Sequence, residues 1–102
     1  MAHTERGDDA TDRWGDRQPA VVFTFDLDAD EVWRAKIARD ERWDKPPIRE
    51  RGRFGPEIAV PRILDVFERQ DRRCTFFVPG RVAEDWPETV QAIHEAGHEI
   101  GH

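Results

Sequence analysis

The chain has 102 residues, 16 basic and 22 acidic, with a formal charge of -6 when histidine is neutral. Charged residues make up 37%, against about 25% in an average soluble domain, so the length supports at most one small domain with a thin core. The acidic balance argues against nucleic-acid binding, no stretch reaches the ~20 apolar residues of a membrane span, and the single Cys74 excludes an intramolecular disulfide framework.

Met1 to Gln18 reads as a disordered polar leader, because its only large apolar residues are Met1 and Trp14. It has no apolar signal segment, so the cytoplasm is the default compartment. Ala20 to Phe25 is a continuous apolar, β-branched and aromatic run. It is too short for a helix and is expected to be a strand buried on both faces. Glu31 to Arg39 is expected to be a short helix, with Trp33 and Ile37 at i,i+4. Asp40 to Pro56 holds Pro46-Pro47, Gly52, Gly55 and many charges, and is expected to be a long exposed loop.

Pro61 suits the first turn of a helix whose apolar stripe is Ile63, Leu64 and Phe67. Cys74 to Val78 is a second buried strand, ended by Pro79-Gly80. Val82 to Trp86 makes a helical turn, and Pro87 starts another helix with Val90 and Ile93 inward and Gly97 as its C′ residue. His98 to His102 begins a third strand. Strands alternating with helices give an α/β fold with a parallel sheet. Sites in such sheets form outside the carboxyl ends of the strands. That rule selects Asp26 to Asp30, Pro79-Gly80 and the surroundings of His102.

Asp26 and Asp28, at i,i+2 on an extended segment, point to the same side. Two such acids can divide roles, one ligating a cation and the other acting as base; alternatively they form a solvated turn or helix cap. Two H-E-x-x-H matches, His94 to His98 and His98 to His102, would suit a zinc peptidase only on a helix. Gly97 interrupts the first, and the second reads as strand. His94 is therefore read as a surface residue and His98 as structural. Cys74 reads as a small buried hydrophobe. Trp33, Trp43 and Trp86 would either stack on sugar or pack. Arg49, Arg51 and Arg53 would either orient an anionic substrate or form solvated surface.

Four segments together resemble the N-terminal part of a NodB-like polysaccharide deacetylase, the carbohydrate esterase family 4 group. They are Val22-Phe23-Thr24-Phe25-Asp26-Leu27-Asp28-Ala29-Asp30, Pro61 to Phe67, Cys74-Thr75-Phe76-Phe77-Val78-Pro79-Gly80, and Glu95-Ala96-Gly97-His98-Glu99-Ile100-Gly101-His102. The resemblance implies a partial (β/α) barrel with about three parallel strands, over residues 19–102, with the rest of the domain absent. The D-x-D spacing is similar to the branch holding peptidoglycan-deacetylase-like proteins, cyclic imide hydrolases and a metal-independent allantoinase.

The resemblance implies Asp26 as catalytic base and Asp28 as ligand to a divalent metal, zinc being the expected ion and a metal-independent member the alternative. It places Arg51, Arg53 and Phe54 in a loop over the mouth, with Pro79, Gly80 and His102 beside the site. The family's H-[ST]-x-x-H ligand pair would fall just past His102. The implied reaction is hydrolysis of a non-peptide carbon–nitrogen bond in an N-acetylated sugar polymer or a small amide or imide. The 102-residue chain alone is expected to be incompetent, and the rivals are an inactive fragment or binding module and an H-E-x-x-H peptidase. A homo-oligomer is compatible with this reading; nucleic-acid and membrane partners are not.

Overall fold

The computed structural model describes Gly15 and residues 18–102. The leader therefore falls almost wholly outside the described residues. The element order is β1 (Thr24–Asp26), α1 (Glu31–Arg39), a 3-10 turn (Glu41–Trp43), α2 (Pro46–Phe54), a π turn (Gly55–Ala59), α3 (Val60–Arg69), β2 (Thr75–Phe77), α4 (Gly80–Asp85), α5 (Pro87–Glu95) and β3 (Glu99–Gly101). The three strands are parallel, in the order β1-β2-β3, and the sheet is open. The fold is α/β, as its alternating pattern predicts.

Parallel register sets the pleat in rows. Phe25 pairs with Phe76, and Phe76 with Ile100. Phe25 and Phe76 stack at 5.4 Å, and Phe67 of α3 meets Phe25 edge-on at 5.8 Å. Leu27, Val60, Cys74, Phe76, Val78, Val82 and Ile93 form the buried core, with Phe76 only 1% exposed.

Helix ends follow their local chemistry. α5 closes with Gly97 at φ +87°, its N–H donating to the His94 carbonyl and the His98 N–H to the Ile93 carbonyl. That is the paired C-terminal pattern a left-handed glycine permits. α3 closes the same way through Asp71, at φ +51°.

Two expectations are corrected. The run Ala20 to Phe25 is not a strand buried on both faces: only Thr24 onward is strand, and Val21 and Val22 are 80% and 74% exposed. β1 is an edge strand, and its ladder begins at the Phe23 carbonyl, which accepts the Thr75 N–H at 3.0 Å, leaving Val21 and Val22 outside the strand. Asp40 to Pro56 is not a long loop. Pro46 and Pro47 occupy the first turn of α2, where a missing N–H costs nothing. α2 then runs through the π turn into α3 with right-handed helical backbone throughout. The Val60 N–H donates to the Gly55 carbonyl five residues back, the wide turn that accommodates the prolines at 56 and 61. Pro61 therefore lies in the first turn of α3, as its position suggests, but the helical path begins far upstream of it.

Candidate active site

The site is built where β1 ends. The Leu27 N–H donates to the Phe77 carbonyl at 2.9 Å, and the Leu27 side chain is buried. Leu27 is thus a peg in the core, and its two neighbours, Asp26 and Asp28, are both exposed on the other side. The chain then turns sharply, with Ala29 at φ +48° and the Glu31 N–H donating to the Asp28 carbonyl at 2.9 Å. A left-handed alanine stores about 1 kcal/mol of strain beside the acids.

The ends of the other strands come to the same edge. Asp26 pairs laterally with Phe77, and Phe77 with Gly101. A Cβ placed on Gly80 would lie 3.8 Å from His102 Nε2, so the turn after β2 and the residue after β3 are neighbours. Pro79 precedes Gly80, and its carbonyl accepts the Ala83 N–H at 3.0 Å in the first turn of α4.

The residues expected in a mouth loop lie instead on or beside α2. Arg53 is held along the helix by Glu57, at 2.7 Å, and by Glu50 at 3.5 Å, and the Glu57 partner raises its already high pKa. Arg51 lies over the Trp33 ring, 5.5 Å from its centroid. Phe54 ends the helix with 56% of its surface exposed. A helix fixes these side chains by i,i+4 geometry, so the flexible cover expected from the Pro- and Gly-rich composition is not formed.

Gly52, read from the sequence only as a loop residue, and Asp30, selected only as part of the segment Asp26 to Asp30, anchor this helix beside the acids. Gly52 is buried and packs so tightly on Asp30 that an added Cβ would collide with the Asp30 side chain and lie 2.8 Å from its Cα. Asp30 accepts from Arg34 Nε at 2.7 Å, and the same guanidinium bridges to Asp85 of α4, also at 2.7 Å. The turn after the acids is therefore tied to α2 on one side and α4 on the other. A glycine in a charged, proline-containing stretch reads as flexibility; its closeness to Asp30 is a tertiary fact.

The tryptophans are engaged within the protein. Lys36 Nζ lies 5.1 Å from the Trp33 ring centroid and 4.9 Å from that of Trp43. Trp86 packs partly buried against the core. The H-E-x-x-H matches fail on context, since Gly97 breaks the first and the second runs through β3 rather than a helix. His94 is exposed. His98 is buried, its Nδ1 accepting the Cys74 N–H at 3.1 Å with Cys74 Sγ at 3.4 Å. Burial, then the nearby Arg73 charge, holds His98 below the usual histidine pKa, and burial pushes the Cys74 thiol up. Both are structural groups at the amino end of the sheet.

Among the described residues, no three His, Cys, Asp or Glu side chains converge as a metal centre. A zinc site needs three protein donors plus an open position, so Asp28 alone does not fit one.

Residues 54–102 match the family model for polysaccharide deacetylase. This stretch is similar to the polysaccharide deacetylase family. The chain is 33% identical to a peptidoglycan deacetylase of Helicobacter pylori over 81 residues, covering 79% of this chain and 27% of the relative. It is 40% identical over 48 residues to a peptidoglycan-N-acetylglucosamine deacetylase of Bacillus cereus, covering 46% and 18%. A solved Mycobacterium smegmatis structure, assigned to the polysaccharide deacetylases, superposes with a TM-score of 0.71 at 35% identity, covering 84% of this chain and 31% of that one. The chain thus spans less than a third of the length of each of these proteins. No helix among the described residues is long and apolar enough to cross a membrane.

Proposed function

We propose that residues 19–102 are the opening segment of a deacetylase domain, and that Asp26 is the general base of a hydrolase acting on the N-acetyl group of a sugar polymer. The observation that carries this reading is the convergence of Asp26, Gly80 and His102 at the carboxyl edge of a parallel sheet. That edge is where sites of this fold class form. In the reaction, Asp26 takes a proton from water while the water oxygen bonds to the amide carbonyl carbon. The carbon–nitrogen bond then breaks, the sugar amine takes up a proton, and acetate leaves. Asp28, two residues on and also exposed, would offer one oxygen to a divalent cation. Since Asp28 alone makes no metal centre, no step is routed through an ion.

The names of the relatives favour a peptidoglycan-type N-acetylglucosamine substrate over a cyclic imide. A second reading is a binding module of the same fold. The test follows acetate release by NMR from N-acetylglucosamine oligomers and peptidoglycan fragments, with a cyclic ureide alongside. The expected result is slow acetate release, far below that of a complete relative, and its loss in Asp26→Asn. General-base removal costs about 100-fold or more, which brings slow release to background. Binding without release supports the module reading, ureide opening without acetate release overturns the sugar assignment, and release unaffected by Asp26→Asn overturns the role of Asp26.

A further inference from the structure

A chain of formal charge -6 is expected to repel anions over most of its surface. One cleft departs from that expectation. α1, α2 and α4 meet around a hollow of about 430 Å³, within the size range of small-molecule sites. Its walls carry Asp30, Trp33, Arg34, Ile37, Arg49 and Arg81, three guanidiniums against one carboxylate. Trp33 and Ile37, one turn apart on α1 and both half-buried, supply its apolar part. The three arginines are not equivalent. Arg34 is committed to Asp30 and Asp85, both at 2.7 Å. Arg49 is committed to Asp44, with Nη2 2.8 Å from Oδ2. Arg81 has Glu31 beside it, but its Nε stands 3.9 Å from Oε1, too far for a hydrogen bond, and its side chain is 57% exposed. Arg81 directly follows Gly80, the neighbour of His102, and Asp30 closes the segment that begins at Asp26. The cleft therefore borders the carboxyl edge of the sheet, on the side of the helices.

We propose that this cleft binds a sugar ring that carries a carboxylate, with Arg81 as the anion-binding residue and Trp33 as the apolar face the ring lies against. This rests on the glycan substrate proposed above, and adds that a unit beside the reacting N-acetyl sugar is acidic. A guanidinium presents a planar fork of N–H donors that matches the two oxygens of a carboxylate, and an indole face suits the C–H side of a sugar. Arg34 and Arg49, each already paired with carboxylates, fix the walls and leave the anion to Arg81. Asp44 and Asp85 stand behind those two arginines and do not line the hollow. Together with Glu31 they limit the attraction, so the expected preference for an acidic ligand is several-fold and not larger.

The test titrates the 102-residue chain with three tetrasaccharides. One is neutral N-acetylglucosamine; one alternates it with a ring uronate; one alternates it with N-acetylmuramic acid, whose carboxylate stands on a lactyl ether. Affinities are read by calorimetry, and the Arg81 Nε–H and Trp33 indole N–H signals by NMR. The expected result is that both signals move with an acidic tetramer, which binds roughly fivefold more tightly than the neutral one, the upper scale of a solvent-exposed ion pair. The tighter of the two acidic tetramers identifies where the carboxylate is carried. Arg81→Gln should bring the ratio of acidic to neutral affinity close to one. Arg81→Lys, which keeps the charge without the fork, should restore part of it. Arg62→Gln, the same change of charge at an exposed position of α3 outside the cleft, should leave the ratio as it is. High salt should lower the ratio in the parent chain.

No binding of either acidic tetramer, equal affinity for acidic and neutral tetramers, or a ratio lowered alike by Arg81→Gln and Arg62→Gln overturns the inference. Failure of the deacetylase reading looks different: the Arg81-dependent preference persists while no tetramer releases acetate.

Discussion

The two regions flanking the acids are held together by different forces. On one side, α3, β2, α4, α5 and β3 share the apolar core, with Phe76, Val82 and Ile93 almost fully enclosed. On the other, α1 buries no residue and α2 buries only Gly52. That second region relies on charge: Arg34 with Asp30 and Asp85, Arg49 with Asp44, Arg53 with Glu57, and Lys36 against Trp33 and Trp43. Exposed pairs of this kind are screened by solvent and contribute little, whereas fully burying one large apolar side chain contributes about 1.5–3 kcal/mol. Asp26 and Asp28 sit on the seam, fixed to the apolar region by Leu27 and braced by the charged region through Asp30. Position is set by the core, and the approach to the site by the helices over it.

The comparison breaks most visibly in the core. Phe76→Ala should cost about 3–5 kcal/mol, read as a large drop in the denaturation midpoint, because it opens a cavity beneath all three strands. Next, Gly52→Ala should cost about 1–3 kcal/mol by overpacking against Asp30. Its distinguishing sign is a change in the amide shifts of Asp28 to Glu31 with the core signals preserved. Arg34→Ala should cost less than about 1 kcal/mol, and the difference should shrink further in high salt, since its guanidinium is 43% exposed.

The pH dependence separates the regions by another route. His98 has its pKa lowered in the folded chain by burial and is neutral there, with Nδ1 accepting from Cys74. The unfolded chain binds a proton as pH falls below about 6.5, whereas the folded chain resists until lower pH. Stability is therefore complete above the unfolded pKa and declines as pH falls from there toward the folded value. His98→Asn should flatten this slope between pH 7 and 5, measured by denaturation at each pH. Asp40 and Asp44, whose carboxyls Arg42 and Arg49 hold below their usual range, would titrate at lower pH.

The apolar region was readable because its signals are local. Pro87 and Gly97 bracket α5, Cys74 to Val78 is an uninterrupted strand pattern, and the i,i+2 spacing of Asp26 and Asp28 shows where two acids share a side. In the charged region the helix Glu31 to Arg39 was legible, but Asp40 to Pro56 was misread because composition points the wrong way there. Pro46-Pro47, Gly52 and Gly55 spell a loop by propensity, yet the prolines fall at a helix start, where they are harmless, and Gly52 is required by contact with Asp30. Such a contact, 22 residues apart in sequence, leaves no periodic trace. Phe77 was legible as part of a strand, but the packing of its ring on Gly101 depends on β2 and β3 pairing in register.

The central claim is that the acids are anchored to the packed region rather than carried by the helices over it. Native-state hydrogen exchange at the Leu27 amide, which donates to the Phe77 carbonyl, tests it most directly. The account predicts that Leu27 exchanges as slowly as Val78, whose N–H donates to the Gly101 carbonyl, and more slowly than the amides of α1 and α2. Exchange of Leu27 at the rate of the α1 and α2 amides, with Val78 still protected, would contradict it.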